Sequence, residues 1–347
     1  MAEQQMMKQW RMASAVTDLA DVDTMKKSLV LDQVPISQIQ DGQVLVQVAC
    51  CTINDEDRLH FQNDYINSKD ILLPRAVGFE GAGKVVASKA PWYLFLKEDS
   101  RVAFYSDTAT AMGEYLVCDA LTVIPIPDGV SYSTGAASVT NPFTVLQMVQ
   151  KVKRAGHTSV INTVGAGALG RLFSKHAKSV GIDVICLVRR DSQKEMCQAD
   201  GAKVVLNMTD ADFDKQLSRA IQDHNCQFAY DGLGGDMPDR LLKALPDHSV
   251  VSVYSEIVSN KITVDTHNLY HEKRVEAFNA AVEAKKLWTY QQMSMVSTMQ
   301  KWMTTPDMQT TIRRQFSLEQ LPEAVVDSTT ANKSDGKVQI VINADLK

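Results

Sequence analysis

Hydrophobic and polar residues alternate over short stretches in the first third of the chain. In "GQVLVQVAC" (42–50), Val44, Val46 and Val48 fall on one face and Leu45 and Gln47 on the other, the period of two expected of a strand. "GKVVAS" (83–88), "SRVAFY" (100–105), "GEYLVCD" (113–119) and "LTVIPIP" (121–127) follow at short spacing, with Gly or Asp between them. Short strands at such spacing predict a compact barrel or sandwich up to about Ala137. "IPIPDGV" closes this part, because two prolines and an Asp-Gly pair suit a turn and end strand pairing.

From Tyr132 the pattern changes. The stretch to Val152 reads as helix, interrupted by Asn141-Pro142. Strands then alternate with helices: "TSVIN" (158–162), a helix over 168–180, "DVICLV" (183–188), a helix over 192–200, "KVVLN" (203–207), a helix over 211–224, "FAYD" (228–231), a helix over 236–245, and "SVVSVY" (249–254). Strands separated by helices of this length predict βαβ units and a parallel sheet. An amphipathic helix over 291–303 and a last strand, "GKVQIVI" (336–342), complete the chain. That strand is of the same type as those of the first part. The first domain is therefore expected to be split, with 1–135 and 285–347 forming one domain and 136–284 inserted in it.

The turn between "TSVIN" and the next helix carries Gly165, Ala166, Gly167, Ala168, Leu169 and Gly170, a G-x-G-x-x-G spacing. Leu169, Leu172, Phe173, Ala177 and Val180 repeat at helical period behind it, and Gly181 suits the helix C-terminus. In such a turn the first glycine permits the bend, the second admits a pyrophosphate to the backbone, and the third lets helix pack on strand. The helix N-terminus adds amide N–H groups and a partial positive charge. About 20 residues on, an NAD site carries Asp or Glu for the ribose 2′-hydroxyl. Here "CLVRRD" places Arg189 and Arg190 at that point. Guanidinium groups fit a 2′-phosphate, so the expected cofactor is NADPH. Asp191, directly after them, is the one carboxylate that could face the ribose instead.

Composition narrows the partners. Hydrophobic residues are 45% of the 347 and charged residues 22%, with a net charge of −5; this gives no reason to expect nucleic acid or an anionic membrane. No apolar run approaches the roughly 18 residues that span a bilayer. The polar N-terminus "MAEQQMMKQW" has no secretory h-region, so a cytoplasmic location is expected. The six cysteines include no C-x-x-C and are expected to be reduced core thiols. Among the seven histidines only His267 and His271 approach a metal-ligand spacing. Met293, Met295, Met299 and Met303 are expected to pack.

Several segments together resemble the medium-chain dehydrogenase/reductase superfamily in its zinc-independent branch. "VGFEGAGKVV" (77–86) resembles its Gly-x-Glu-Gly-x-Gly turn. "AASVTNPFTVLQMV" (136–149) resembles the helix crossing into the cofactor domain, in the Asn-Pro-x-Thr form of the enoyl thioester reductases. "GAKVVLN" (201–207) and "FAYDGLGGD" (228–236) resemble Rossmann segments, and "GKVQIVI" resembles the last strand. The resemblance implies an α/β fold, a GroES-like β-barrel catalytic domain with an inserted Rossmann doubly wound parallel-sheet domain. Zinc-dependent members hold a catalytic metal through Cys, the His of a Gly-His-Glu turn, and a later Cys or acid. Phe79 occupies the His position here and Asn54 the first Cys position, so no metal is expected, since a catalytic zinc needs about three protein ligands. Alcohol oxidation, which relies on that Lewis acid, is then disfavoured.

What remains is reduction of quinones or of activated C=C bonds, enones and enoyl thioesters included, with hydride from NADPH. "INDEDRLHFQNDY" (53–65) resembles the segment in which zinc-independent members carry Asn-x-x-Asp and, eight residues later, a tyrosine; Asn54, Asp57 and Tyr65 fit. The resemblance implies Tyr65 as proton donor, a phenol protonated at neutral pH, with a cleft-lining tyrosine as the alternative. It implies Asn54 as the residue that positions substrate or nicotinamide, and Asp57 as paired with local backbone or Arg58. Glu80 is expected to be a buried structural carboxylate. Asn141 and Thr144 are implied near nicotinamide and pyrophosphate, and Asn162 matches the enoyl-reductase form of the glycine loop. The segment around "SVVSVYSEIVSN" is taken as the sixth Rossmann strand; Tyr254 and Ser255 stand there where the family often has the glycine that admits the nicotinamide, and Tyr254 is a candidate cofactor contact. A homodimer is common in the family. A non-catalytic nucleotide-binding or structural member of the same fold is the competing expectation.

Overall fold

A computed structural model describes residues 5–63, 72–287, 289–331 and 333–346. The chain forms two compact units, residues 1–140 with 296–347, and residues 141–295. The first unit begins with β1 (Met6–Met12), α1 (Val22–Ser28), β2 (Leu29–Pro35), β3 (Gln43–Thr52) and α2 (Asp55–Phe61). It continues with β4 (Arg75–Ala76), β5 (Glu80–Ser88), β6 (Arg101–Tyr105), β7 (Tyr115–Asp119), β8 (Val123–Pro125) and α3 (Tyr132–Gly135). Helix α4 (Thr140–Arg154) leads into the second unit. There follow β9 (Ser159–Asn162), α5 (Ala168–Ser179), β10 (Asp183–Val188), α6 (Lys194–Ala199), β11 (Val204–Asn207), α7 (Phe213–Asp223), β12 (Phe228–Asp231), α8 (Met237–Ala244), β13 (Val250–Val253), β14 (Arg274–Ala277) and α9 (Ala280–Ala284). Helix α10 (Thr289–Met303) returns to the first unit, which ends with β15 (Ile312–Ser317), α11 (Leu321–Thr330) and β16 (Lys337–Val341).

In the first unit, β3 organises a seven-stranded sheet of order β15-β16-β3-β5-β6-β8. One edge of β3 pairs with β5 along its length. The other is shared, β7 taking Gln43 to Gln47 and β16 taking Cys50 to Thr52. The alternation read from the sequence sets the inner face: Val44, Val46 and Val48 are buried with Val85, Val102, Phe104, Leu116 and Ile340 in one core. Gly83 lies where a Cβ would stand 2.2 Å from the Gln47 carbonyl, so the β3–β5 approach needs a glycine there. A smaller antiparallel sheet, β2-β1-β4, packs beside this core through Trp10, Met12 and Leu29. Nothing in the sequence pattern announced β1, β2 or α1; "MMKQWRM" mixes Met, Gln and Arg in place of β-branched residues.

The second unit is a parallel sheet of order β11-β10-β9-β12-β13-β14. Numbered from β9 as the first strand, this is 3-2-1-4-5-6, the doubly wound order in which ligands sit at the carboxyl ends where the direction reverses, between β9 and β12. Strands of such a sheet are covered on both faces and read as continuous apolar runs; Val160, Ile161, Val184, Ile185, Leu187 and Ala229 are all buried. Tyr230 is also fully buried, ringed by Phe173, Phe228 and Phe278, and its hydroxyl donates to the Met148 carbonyl at 2.9 Å.

Three expectations need correction. "SVVSVY" is the fifth strand of the parallel sheet, and β14 is the sixth. "RVEA" was not legible as a strand because this edge segment has a single half-buried branched residue, Val275, and is otherwise polar or small. The helix break lies at residues 136–139, ahead of Asn141-Pro142; Pro142 is inside the first turn of α4, where a missing N–H costs little. Met295, Met299 and Met303 are buried along one helical face, but Met293 is 69% exposed, because a step of two residues falls on another face.

Removing the Tyr230 hydroxyl leaves the Met148 carbonyl without that donor in a dry core. Tyr230→Phe is expected to lower the free energy of unfolding by about 1–2 kcal/mol, read from urea denaturation; an unchanged midpoint would contradict this account of the core.

Candidate functional site

Two groups of candidate residues are described, one in each unit. In the second unit, β9 runs into the glycine turn at its carboxyl end. The three glycines differ in what holds them. A Cβ on Gly165 would stand 2.7 Å from the Cβ of Cys186 on β10, and one on Gly170 only 2.1 Å from the Val164 carbonyl. Both glycines are therefore required by packing. At Gly167 the nearest atom would be 3.4 Å away, so protein packing leaves room at that position. Gly167 is the N-cap of α5 and supplies no side-chain acceptor. Among the described residues, the amides of Ala168, Leu169 and Gly170 have no protein acceptor. A helix start of eight or more residues with free first-turn amides and an open glycine fits an anionic phosphate group.

The turn is held against β10, since Gly165 N–H donates to Leu187 O at 3.2 Å. Two residues further, Arg189 and Arg190 are exposed at the strand's end. The Asp191 carboxylate beside them pairs with Lys194 at 2.7 Å and accepts from Asn207 Nδ2 at 3.2 Å. The hydrogen bond from Lys194 and then that from Asn207 hold Asp191 below the usual carboxylate range. The open helix start and the exposed Arg189 and Arg190 fit a dinucleotide with an extra phosphate.

At the switch point, Asp231 closes the end of β12. It accepts from Thr163 Oγ1 at 2.8 Å and from the Gly234 amide at 2.8 Å, and burial raises its carboxyl above the usual range. The Thr163 hydroxyl accepts from Gly232 N–H at 2.9 Å. Gly232 lies between Val164 of the glycine loop and the ring of Tyr254, each within 2.9 Å of where a Cβ would be. Tyr254 donates to Asn162 Oδ1 at 3.3 Å. Tyr254 is thereby joined to the glycine loop through Asn162 and Gly232, a link made by Asn162, Thr163 and Asp231 that the sequence pattern did not single out as a network. Asn141 and Thr144 fall in the first five residues of α4, Asn141 buried and Thr144 half-buried.

In the first unit, Asn54 and Asp57 stand at the start of α2 as a capping box: Asp57 Oδ2 accepts from the Asn54 amide at 2.7 Å. The Asn-x-x-Asp spacing is thus also the spacing of helix-start chemistry. Asp57 Oδ1 accepts from the Phe79 amide at 3.2 Å. Arg58 pairs with Asp55 and not with Asp57. The Asn54 side-chain amide donates to Glu80 Oε2 at 2.8 Å and accepts from Lys337 Nζ. Glu80 Oε1 accepts from the Val139 and Thr140 amides at 2.8 and 2.9 Å, at the start of α4. Lys337, first residue of β16, is the participant sequence reasoning missed. It lies 283 positions from Asn54, and only its place after Gly336, at a φ of +130°, marks it locally. Phe79 packs its ring against Tyr105, 5.9 Å between centroids, and edge-on to His60 at 5.2 Å. Among the described residues no three of His, Cys, Asp and Glu converge as a metal site. Tyr65 lies outside the described residues.

Residues 40–130 match the alcohol dehydrogenase GroES-like domain family. The chain is 24% identical over 165 residues to a quinone oxidoreductase of Pseudomonas aeruginosa, covering 47% of this chain and 50% of that protein. It spans about half the length of the curated relatives it matches first. Among solved structures, one from Mesorhizobium loti, provisionally assigned as an NADPH:quinone reductase, superposes with a TM-score of 0.84 at 23% identity, over 98% of this chain and 100% of the other. The complex of Etr1p with NADP and crotonyl-CoA superposes with a TM-score of 0.76 at 16% identity, over 97% and 100%. The fold is therefore that of a GroES-like domain joined to a Rossmann-type parallel sheet.

Burial is the main reason the Asp57 carboxyl is pushed up to about 7 from 3.8; the Asn54 amide opposes it and Glu80 adds to it. The folded state then binds this proton more tightly than the unfolded one. Its stabilising effect is complete below about pH 4 and is lost as pH rises through about 7. Relative to Asp57→Asn, the wild type is expected to lose stability from pH 4 to pH 7 in urea titrations; parallel curves would contradict the assignment.

Proposed function

We propose that this chain, which has the fold of the medium-chain dehydrogenase/reductase superfamily, is an NADPH-dependent and zinc-independent reductase of quinones or of activated C=C bonds in enones and enoyl thioesters. The observation that carries the proposal is the open turn at Gly167, with free amides at the start of α5 and two exposed arginines at the end of the neighbouring strand. Bound NADPH supplies the hydride. The amides of Ala168, Leu169 and Gly170 and the Ala166–Gly167 backbone hold the pyrophosphate, and Arg189 and Arg190 hold the 2′-phosphate. Tyr254, Asn141 and Thr144 line the nicotinamide half. Names of similar proteins, a quinone oxidoreductase and a complex with NADP and crotonyl-CoA, support the reaction class.

Reduction at a β-carbon moves negative charge to the carbonyl oxygen, and a proton must be delivered to complete it. Tyr65 is assigned that step. Asn54 is assigned a positioning part: its amide is engaged by Glu80 and Lys337, so it holds the Lys337 ammonium in place and does not itself reach the reacting atoms. Phe79, at the position of a zinc-ligating His, supplies an apolar wall. A homodimer formed along the outer edge of β14 and a cytoplasmic location complete the proposal; no helix among the described residues is long and apolar enough to cross a membrane.

The test is NADPH consumption, followed by absorbance, with a quinone, an alkenal and crotonyl thioester. Consumption with at least one of them is expected. Tyr65→Phe should slow enone or enoyl reduction by about 10²-fold or more and affect quinone reduction much less, because a hydroquinone anion formed by hydride transfer takes its proton from water. No turnover with any of the three would favour a non-catalytic nucleotide-binding protein. Equal rates for wild type and variant would remove Tyr65 from the proton step.

A further inference from the structure

The glycine turn and Tyr254 are joined by a residue to which the proposed reaction assigns no part. Asn162 is the last residue of β9 and is fully buried. Ile161 beside it faces the core formed with Phe213, Leu217 and Leu241, so Asn162 projects from the other face of the sheet. Its side-chain oxygen accepts from the Val164 amide at 3.2 Å and from the Tyr254 hydroxyl at 3.3 Å. The Val164 donor fixes which end of the side chain is oxygen. Asn162 Nδ2 then has no acceptor among the described residues. A buried amide with one end stranded is kept at a cost that an apolar side chain of similar size would avoid. What packing leaves unexplained is the oxygen, and its two bonds lead to the glycine turn and to Tyr254.

Tyr254 crosses the switch point. It follows β13, yet its hydroxyl reaches β9, so its ring passes over the end of β12, which lies between them in the sheet. Gly232, directly after β12, leaves the room: a Cβ there would stand 2.8 Å from both the ring Cζ and the hydroxyl oxygen. Tyr230 supports the ring edge-on, with 6.2 Å between centroids. The strand order places this ring relative to a dinucleotide. Arg189 and Arg190 follow β10, the glycine turn follows β9, and Tyr254 lies on the opposite side of that turn, across β12. With the adenosine end at the arginines and the pyrophosphate at the turn, the nicotinamide end falls over β12 and β13, about 5–10 Å beyond the turn.

We propose that Asn162 is a positioning residue for the nicotinamide end of the dinucleotide: it holds the Tyr254 hydroxyl and so presents the ring in one orientation across the end of β12. The inference rests on the dinucleotide reading given above and adds to it the residue that aligns the ring. A half-buried tyrosine at a strand end has rotamer freedom to lose. A bond from its hydroxyl to an oxygen that is itself tied to the Val164 backbone removes that freedom before the ligand arrives, and a prearranged contact binds more tightly than one ordered on binding. Asn162, fully buried, acts through Tyr254 and does not reach the ligand. Its contribution therefore appears in binding of the nicotinamide end and not in binding of the phosphates.

The test is equilibrium titration of the full chain with NADPH and with 2′-phospho-ADP-ribose, which keeps the 2′-phosphate and the pyrophosphate and lacks the nicotinamide. Asn162→Ala and Tyr254→Phe are each expected to weaken NADPH binding about three- to tenfold and to leave 2′-phospho-ADP-ribose within about twofold of the wild type. Both substitutions remove the same bond, so the double variant should bind NADPH no more weakly than Asn162→Ala alone. Tyr254→Phe keeps the ring and removes one oxygen, which separates a lost tether from a misfolded chain. The inference is overturned if either variant binds NADPH as the wild type does, or if the two losses add in the double variant. It is also overturned if both ligands weaken together, since Asn162 would then only shape the glycine turn. In these cases wild-type binding of both ligands leaves the dinucleotide reading intact, whereas a wild type that binds neither overturns that reading and the inference with it.

Discussion

A single buried carboxylate connects the first unit's scattered polar residues. Glu80 has no solvent contact, so its oxygens must find donors within the protein. One takes the Val139 and Thr140 amides at the start of α4, and the other takes the Asn54 side chain, which in turn accepts from Lys337. The last strand, the start of α2, the start of β5 and the start of α4 are tied together by these bonds. Loss of any member would strand a buried polar group, and that penalty exceeds what the bond itself contributes. The same constraint motivates the positioning part proposed for Asn54, whose side chain bridges a carboxylate and an ammonium.

The second unit rests on a different constraint, the absence of side chains. Two glycines of the turn are there because helix and strand would collide without them, whereas Gly167 is not explained by any protein neighbour. The position left open by the protein is the one next to the unengaged amides of α5. The chemistry proposed for the chain follows from that asymmetry together with Arg189 and Arg190, exposed at the end of β10, and Asp191, which pairs with Lys194 and Asn207.

The fold was legible where local pattern and burial agree. The alternation in "GQVLVQVAC" and the apolar runs "DVICLV" and "FAYD" became β3, β10 and β12, since each lies in the middle of its sheet. Two kinds of strand were not legible: β14, at the edge of its sheet, has one half-buried branched residue, and β1, the middle strand of the small sheet, is built from Met, Lys, Gln, Trp and Arg in place of β-branched residues. The glycine turn could be read because its geometry lies within six consecutive residues. The polar cluster could be read only in part. Asn54 and Asp57 have the spacing of a helix cap as well as that of a catalytic motif, and Lys337 reaches them from the far end of the chain, where no local pattern records the contact. The Asn162, Thr163 and Asp231 network is likewise a product of sheet order, which places β9 beside β12 although the two are separated by two strands in sequence.

The proposed chemistry depends on which dinucleotide the glycine turn holds. Equilibrium titration of the wild-type chain and Arg189→Ala with NADPH and with NADH, in the absence of substrate, measures this directly. NADPH is expected to bind the wild type at least about tenfold more tightly than NADH, a difference of about 1.4 kcal/mol, with most of that preference lost in the variant. No binding of either dinucleotide, or equal binding of both by the wild type, would contradict it.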